Sequence, residues 1–178
     1  MKAVRLALIT LITVAAASAS AAGQSPWYVG ADIGAQTSRN DGVAGRAYAG
    51  YELGRGLAVD PEQRHALEVS VFTQGLTNHG KPATATGVAV NWATILKVSE
   101  KFSVTGRLGA DYAWATTHRS DVWSQTYDKA GLFAGAGVAY TLTPQILIRA
   151  DVTYMPLQIS ATEKSKVPTV TVGVRYGF

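Results

Sequence analysis

Large apolar side chains alternate with small or polar ones at a period of two through most of this chain. Trp27, Val29, Ala31, Ile33 and Ala35 oppose Tyr28, Gly30, Asp32, Gly34 and Gln36. Val104, Leu108, Ala110, Tyr112 and Trp114 oppose Thr105, Arg107, Gly109, Asp111 and Ala113. Ile146, Ile148, Ala150, Val152 and Tyr154 oppose Arg149, Asp151 and Thr153. Successive side chains of a strand point to opposite faces, so each of these segments is a strand with two unlike sides. Eight such strands are predicted, at residues 27–36, 45–53, 66–74, 84–97, 102–115, 131–142, 146–155 and 168–178. A tilted strand of about 9–11 residues crosses hydrocarbon, and these segments are of that length or longer.

The connections are of two kinds. Residues 98–101 and 143–145 are tight turns, whereas 37–44, 75–83, 116–130 and 156–167 are longer and polar. Short turns at one end and long loops at the other are the build of an outer-membrane barrel, with the long loops outside. Residues 54–65 depart from this rule, and Asp60-Pro61 is read as the bend of that connection. The predicted fold is all-β: an eight-stranded antiparallel up-and-down transmembrane β-barrel. Its even strand count places both termini on the periplasmic side.

Alternation alone does not say which face points inward, because a soluble carrier barrel alternates too. Two features favour the membrane orientation. The polar face is rich in glycine (Gly30, Gly34, Gly50, Gly109, Gly135, Gly137, Gly173 and Gly177), which makes room in a narrow interior. Aromatics of the apolar face gather near strand ends. Trp27, Tyr51, Phe102, Tyr140, Tyr176 and Phe178 lie on the turn side, and Tyr112, Trp114 and Tyr154 on the loop side. Two aromatic girdles around an aliphatic belt are expected at the two membrane interfaces.

Before the first strand, Lys2 and Arg5 precede an apolar run over residues 6–14, followed by Ala and Ser only over residues 15–22. This is the order of a secretory leader, expected to span residues 1–22 and to leave a barrel domain at 23–178. Loss of Lys2 and Arg5 lowers the formal charge from +4 to +2, so the high pI is weak evidence for nucleic acid, and none is expected as a partner. The chain has no Cys, which excludes a disulfide framework and thiolate metal sites, and its three His residues show no ligand spacing. Neither a metal nor a cofactor is expected.

By parity, Asp32, Arg46, Glu52, Glu68, Arg107, Asp111, Arg149, Asp151 and Arg175 point into the lumen. An eight-stranded interior holds little beyond its own side chains, and ions buried there must pair. A cross-barrel ion-pair network is therefore predicted, centred on Glu68, Arg107, Asp111, Arg149 and Asp151, with Asp32, Glu52 and Arg175 as further members. It serves either as a structural plug or as a gated narrow pore.

The alternating segment that ends the chain, with Gly173, Tyr176 and Phe178, resembles the sorting signal that the assembly machinery reads in outer-membrane barrels. Further motifs extend the resemblance. They are Trp27-Tyr28-Val29-Gly30-Ala31, Gly50-Tyr51-Glu52, Gly87-Val88, Arg107-Leu108-Gly109 and Leu142-Thr143-Pro144-Gln145-Ile146 with Arg149, Asp151 and Tyr154. Together they are similar to the transmembrane domain of OmpA-like proteins and of the small OmpX and Ail barrels. The resemblance implies a Gram-negative outer-membrane protein with roles in envelope integrity, surface adhesion or serum resistance. Ala93 and Ala139 stand where that family is expected to carry Lys and Glu, so its ion-pair gate does not carry over. The periplasmic peptidoglycan-binding domain of full-length OmpA-like proteins is expected to be missing here.

Some small barrels modify lipid A, which needs a nucleophile or acid near a His at the outer interface. His118, Ser120 and Asp121 are neighbours in the longest outer loop, but triads are assembled in space, and no catalytic site is predicted. The Gly131-x-x-x-Gly135-x-Gly137 run has no Lys-Ser/Thr after it and lies on a strand, so it is not a phosphate loop. Arg39, Lys81, Arg119, Lys129, Lys164 and Lys166 in the outer loops either pair with lipopolysaccharide phosphates or are ordinary solvated charge. Trp123 and Tyr127 are candidate contacts for a host or phage ligand. The expected protein is monomeric and non-enzymatic, and its partners are outer-membrane lipid, lipopolysaccharide and the assembly machinery. A narrow channel and a lipid A-modifying enzyme are the alternatives.

Overall fold

A computed structural model describes residues 25–37, 42–53, 63–78, 81–120, 123–158, 164–165 and 168–178. The leader expected over residues 1–22 lies outside them. Alternation yields the strands β1 (Trp27–Gln36), β2 (Val43–Glu52), β3 (Gln63–Asn78), β4 (Lys81–Lys97), β5 (Phe102–Ser120), β6 (Trp123–Thr141) and β7 (Ile146–Tyr154). A short hairpin follows, β8 (Leu157–Gln158) with β9 (Lys164–Ser165), and then β10 (Thr169–Gly177). Eight of these strands close into one barrel in the order β1-β10-β7-β6-β5-β4-β3-β2, each antiparallel to its neighbours. The seam is the β1–β10 pairing, in register from Tyr28–Gly177 to Gln36–Thr169. The Ser25 N–H donates to the Phe178 carbonyl at 2.8 Å, which ties the two ends of the barrel together at the periplasmic rim.

The polarity is that of a membrane protein. Ile33, Leu108 and Leu132 on the outer face are 74%, 67% and 73% exposed, whereas Glu68 and Arg107 on the inner face are 2% and 5% exposed. With no water in hydrocarbon, backbone groups must pair among themselves, and a closed ladder achieves this.

The structure differs from expectation at the outer end. Residues 75–83 and 116–130, expected as polar loops, are largely strand: β3 runs to Asn78, β4 begins at Lys81, β5 reaches Ser120 and β6 begins at Trp123. Thr77, Thr84, Thr116, Thr117, Trp123, Thr126 and Tyr127 are β-formers that lose the apolar–polar alternation once the strand leaves lipid. Backbone pairing continues without that alternation. Residues 156–167, also expected as loop, contain the β8–β9 hairpin.

Leu108 lies midway between Phe102 and Trp114, the girdle residues of β5, so a charge there meets the middle of the hydrocarbon. Leu108→Arg is expected to cost about 2–4 kcal/mol in a urea titration of the barrel in phospholipid vesicles. A loss near zero would mean that this face does not see lipid.

Candidate functional site

The lumen is layered. At the periplasmic mouth Arg175 pairs with Glu52, and Arg64 Nη1 lies 3.3 Å from Glu52 Oε2. The Arg175 guanidinium sits over the Tyr28 ring at 3.7 Å. These groups border a cavity of about 190 Å³ that Lys97, Glu100 and Lys101 also line.

The middle layer holds the buried ions. Glu68 accepts hydrogen bonds from the Tyr28 hydroxyl at 2.9 Å and from Asn91 Nδ2 at 3.0 Å. It also lies 3.5 Å from Arg107 Nε and 3.6 Å from Arg149 Nη1. Asp151 accepts from Arg107 Nη2 at 2.7 Å and from Arg149 Nε at 2.6 Å. Asp32 pairs with Arg46 and lies 3.8 Å from Arg149 Nε. The planar fork of arginine lets one cation bridge carboxylates from different strands. Arg149, on β7, thereby joins Asp32 of β1 to Glu68 of β3 across the barrel.

Tyr48 and Tyr28 complete this layer. The Arg149 guanidinium lies 4.6 Å from the centre of the Tyr48 ring, and the Arg46 guanidinium 5.0 Å. In register, Gly30 faces Tyr48 and Gly50 faces Tyr28. A Cβ at either glycine would collide with the facing ring, and one at Gly137 or Gly173 would collide with Asp151 or Asp32. The inward glycines thus leave space for particular rings and carboxylates. The signal was present in the sequence: an inward Tyr with a Gly directly across the ladder. Tyr28, Tyr48 and Asn91 were not singled out there.

Asp111, expected at the centre of the network, makes no ion pair among the described residues. It lies four residues along β5 from Arg107, roughly 13 Å at the strand rise, and Arg107 pairs with Asp151 and Glu68. Asp111 is 5% exposed, and its Oδ1 is buried without a hydrogen-bond partner.

The outer part of the lumen is polar on one side, where Gln36, Gln74, Thr169 and Thr171 are buried, and apolar on the other. Phe72, Ala83, Ala85, Ala89, Ala113, Ala115 and Phe133 cluster around Leu157 of β8, with Met155 against them. This layer was not read from the sequence, because Leu157 follows Pro156 in a segment without alternation.

On the outside, Trp27 packs edge-on with Tyr51 at 4.9 Å, Phe102 with Tyr140 at 5.0 Å and Tyr176 with Phe178 at 5.3 Å, all at the periplasmic rim. Tyr112 and Trp114 pair at 5.2 Å at the outer rim, where the Tyr112 hydroxyl donates to Asp128 and Tyr154 is exposed. Trp92 is a further outward ring, in register with Leu108, and its indole N–H donates to His65 Nδ1 at 3.2 Å. Of the terminal residues expected to be read during assembly, Gly173 faces the lumen beside Asp32 and Tyr176 faces lipid.

Among the outer cations, Lys129 is exposed on β6. Lys81, Arg119 and Lys164 lie on β4, β5 and β9, their side chains outside the described residues, as are Arg39 and Lys166 altogether. The side chains of His118, Ser120, Trp123 and Tyr127 and the whole of Asp121 are likewise outside them. Among the described residues no cluster of His, Cys, Asp and Glu is arranged to hold a metal ion.

A closed eight-stranded barrel with a lipid-facing apolar belt, aromatic rims and a charged interior defines an integral outer-membrane protein of a Gram-negative bacterium. The chain belongs to the outer membrane protein beta-barrel domain family, whose model matches residues 6–178. The crystal structure of Ail, the attachment invasion locus protein of Yersinia pestis, is similar, with 18% identity and a TM-score of 0.56 over 88% of this chain and 99% of that one. Neisserial surface protein A is similar at 17% identity and a TM-score of 0.61, again over 88% and 99%. The outer membrane enzyme PagL is similar at 9% identity and a TM-score of 0.54, over 85% of this chain and 99% of that one. Likeness at such identities is a likeness of fold. A comparison with curated protein sequences yields no match.

Removing Asp151 takes from two buried cations, Arg107 and Arg149, the carboxylate nearest to each. Asp151→Ala is expected to destabilise the barrel by about 3–5 kcal/mol in a urea titration. Asp111→Asn, which breaks no ion pair, is expected to cost less than about 1 kcal/mol. Equal losses for the two variants would contradict the pairing described above.

Proposed function

We propose that this protein is a non-enzymatic, monomeric surface barrel whose outer end binds polyanions and extracellular partners, and whose membrane part is a stable anchor for it. The observation that carries this reading is the unequal height of the barrel wall. β3, β4, β5 and β6 have 16, 17, 19 and 19 residues, against 9 or 10 for β1, β2, β7 and β10. The four long strands rise above the rest as a sheet. β7 pairs with β6 only from Ala134 onward, so among the described residues no barrel strand is paired with residues 123–133 of β6 on that side. An open strand edge is a template for main-chain pairing with another chain.

Charge supports the polyanion part. Arg39, Lys81, Arg119, Lys129, Lys164 and Lys166 are cations of the outer connections, and phosphates of lipopolysaccharide or sulfates of a host polysaccharide are matching ligands. The Ail barrel has been crystallised in complex with the heparin analogue sucrose octasulfate. Assembly through the terminal Gly173, Tyr176 and Phe178 belongs to the same reading. The lipid A-modifying alternative rests on His118, Ser120 and Asp121, neighbours along the chain, and mass spectrometry of lipid A from cells with and without the protein tests it.

Cells displaying the protein are expected to bind immobilised heparin. Replacement of residues 117–127 by a short Gly-Ser turn is expected to weaken that binding about tenfold or more, the loss of at least one charge-assisted contact. Serum survival is the second readout, and heat-modifiable gel mobility verifies that the shortened barrel still folds. Unchanged binding by a folded variant would remove the outer sheet from the function.

A further inference from the structure

His65 is an ionisable side chain on the lipid-facing side of the wall. It shares that face with the exposed Leu67 and Val69 and alternates with Ala66 and Glu68, which are buried in the lumen. It stands near the periplasmic end of β3, where the Leu53 N–H donates to its carbonyl at 2.9 Å, two residues after Tyr51 of the periplasmic girdle. An ionisable group on such a face is costly and calls for a partner. Part of the ring is accounted for. The Trp92 indole N–H donates to Nδ1 at 3.2 Å, and the Thr94 hydroxyl lies 3.3 Å from the same atom. An indole only donates, so Nδ1 is the bare nitrogen and the ring's proton is on Nε2. Among the described residues nothing accepts from that Nε2–H, and His65 is only half-buried.

A trough leads away from this donor. His65, Thr94, Gly106 and Ala136 stand side by side across β3, β4, β5 and β6. They lie two, three, four and five residues from the periplasmic ends of those strands, at Gln63, Lys97, Phe102 and Thr141. The row therefore climbs from the interface into the hydrocarbon. Its far end is low: a Cβ at Gly106 would meet no atom within 4 Å, and Ala136 adds one methyl group. Taller exposed side chains border it, Trp92 and Leu108 on the outer side and Leu96, Val104 and Val138 on the periplasmic side. On the aqueous side the charge is mostly of one sign. The mouth cavity is lined by four cations, Arg64, Lys97, Lys101 and Arg175, and by two carboxylates, Glu52 and Glu100. Three of the four cations come from the β3–β5 corner that carries His65.

We infer that this corner of the wall holds one anionic phospholipid of the periplasmic leaflet. Its phosphodiester accepts the His65 Nε2–H, and one acyl chain lies in the trough over Gly106 and Ala136. The bond from Trp92 fixes the imidazole before the lipid arrives, so little ordering is lost when the head group binds. The cations of the mouth act through their field rather than by contact. Each cation near a membrane surface attracts anionic lipid, so a head group such as phosphatidylglycerol suits this rim better than a zwitterionic one. The inference concerns the periplasmic end and is independent of the polyanion reading of the outer end.

Native mass spectrometry of the detergent-purified barrel, titrated with phosphatidylglycerol or phosphatidylcholine, tests this. The unsubstituted protein is expected to retain one phosphatidylglycerol about fivefold or more tightly than phosphatidylcholine, the effect of about one surface cation. Gly106→Leu fills the trough in open space and leaves His65 in place, and it is expected to abolish that retention. His65→Leu is expected to abolish it too. Ala110→Leu, the same added side chain on the exposed face of β5 nearer the outer rim, is expected to leave it unchanged. Glycerophosphoglycerol, the head group without its chains, is expected not to displace the lipid. Heat-modifiable mobility establishes that each variant is folded. Four results would overturn the inference: equal retention of the two lipids, unchanged retention by folded Gly106→Leu or His65→Leu, an equal loss in Ala110→Leu, or displacement by the free head group.

Discussion

In hydrocarbon a backbone amide has only other backbone groups to bond with, and this constraint organises the molecule. A sheet that crosses a membrane must have no edge, so β1 must find β10. Closure fixes parity for every strand at once: a one-residue slip would send Arg107 into lipid and Leu108 into the lumen. The ion pairs follow from closure. Guanidinium and carboxylate groups brought within one narrow cylinder leave water together, and partners such as Arg149 with Asp151 lie close enough to offset much of the cost.

The interior changes character with depth. Charges on the periplasmic side and in the middle are linked through Glu52, Glu68, Asp151 and Asp32, whereas the outer third sets methyl groups and two phenyl rings on one side against Gln36, Gln74, Thr169 and Thr171 on the other. The glycines allow this contrast. Opposite Tyr28 and Tyr48 they let aromatic rings lie flat across the ladder, where they shield Arg175 and Arg149 from the wall. The same barrel raises four long strands above the membrane, so rigidity below and an open sheet edge above come from one continuous ladder.

Much of this was legible in the amino-acid order. β1 falls on residues 27–36 as the alternation predicts, and the faces assigned along β5 and β7 are the faces observed. A membrane makes strands readable, because lipid on one side and ions on the other impose unlike chemistry at every second position. Legibility fails where that contrast ends. Beyond Ala115 the residues of β5 are all polar, so the strand continues to Ser120 with no apolar signal to mark it. Parity places Asp111 in the lumen but cannot say at what height it sits relative to Arg107, since height depends on stagger between strands. Leu157 reaches the lumen from a connection, and no periodicity announces a contact made by a turn of the chain.

The central claim is orientation, and site-directed spin labelling along β5 measures it most directly. Single cysteines placed from Val104 to Trp114 in reconstituted membranes would each carry a nitroxide. The account predicts oxygen collision rates that peak at Val104, Leu108, Ala110 and Tyr112 and fall at Thr105, Arg107, Gly109 and Asp111. A flat profile, or peaks for a water-soluble nickel reagent at the first set, would contradict it.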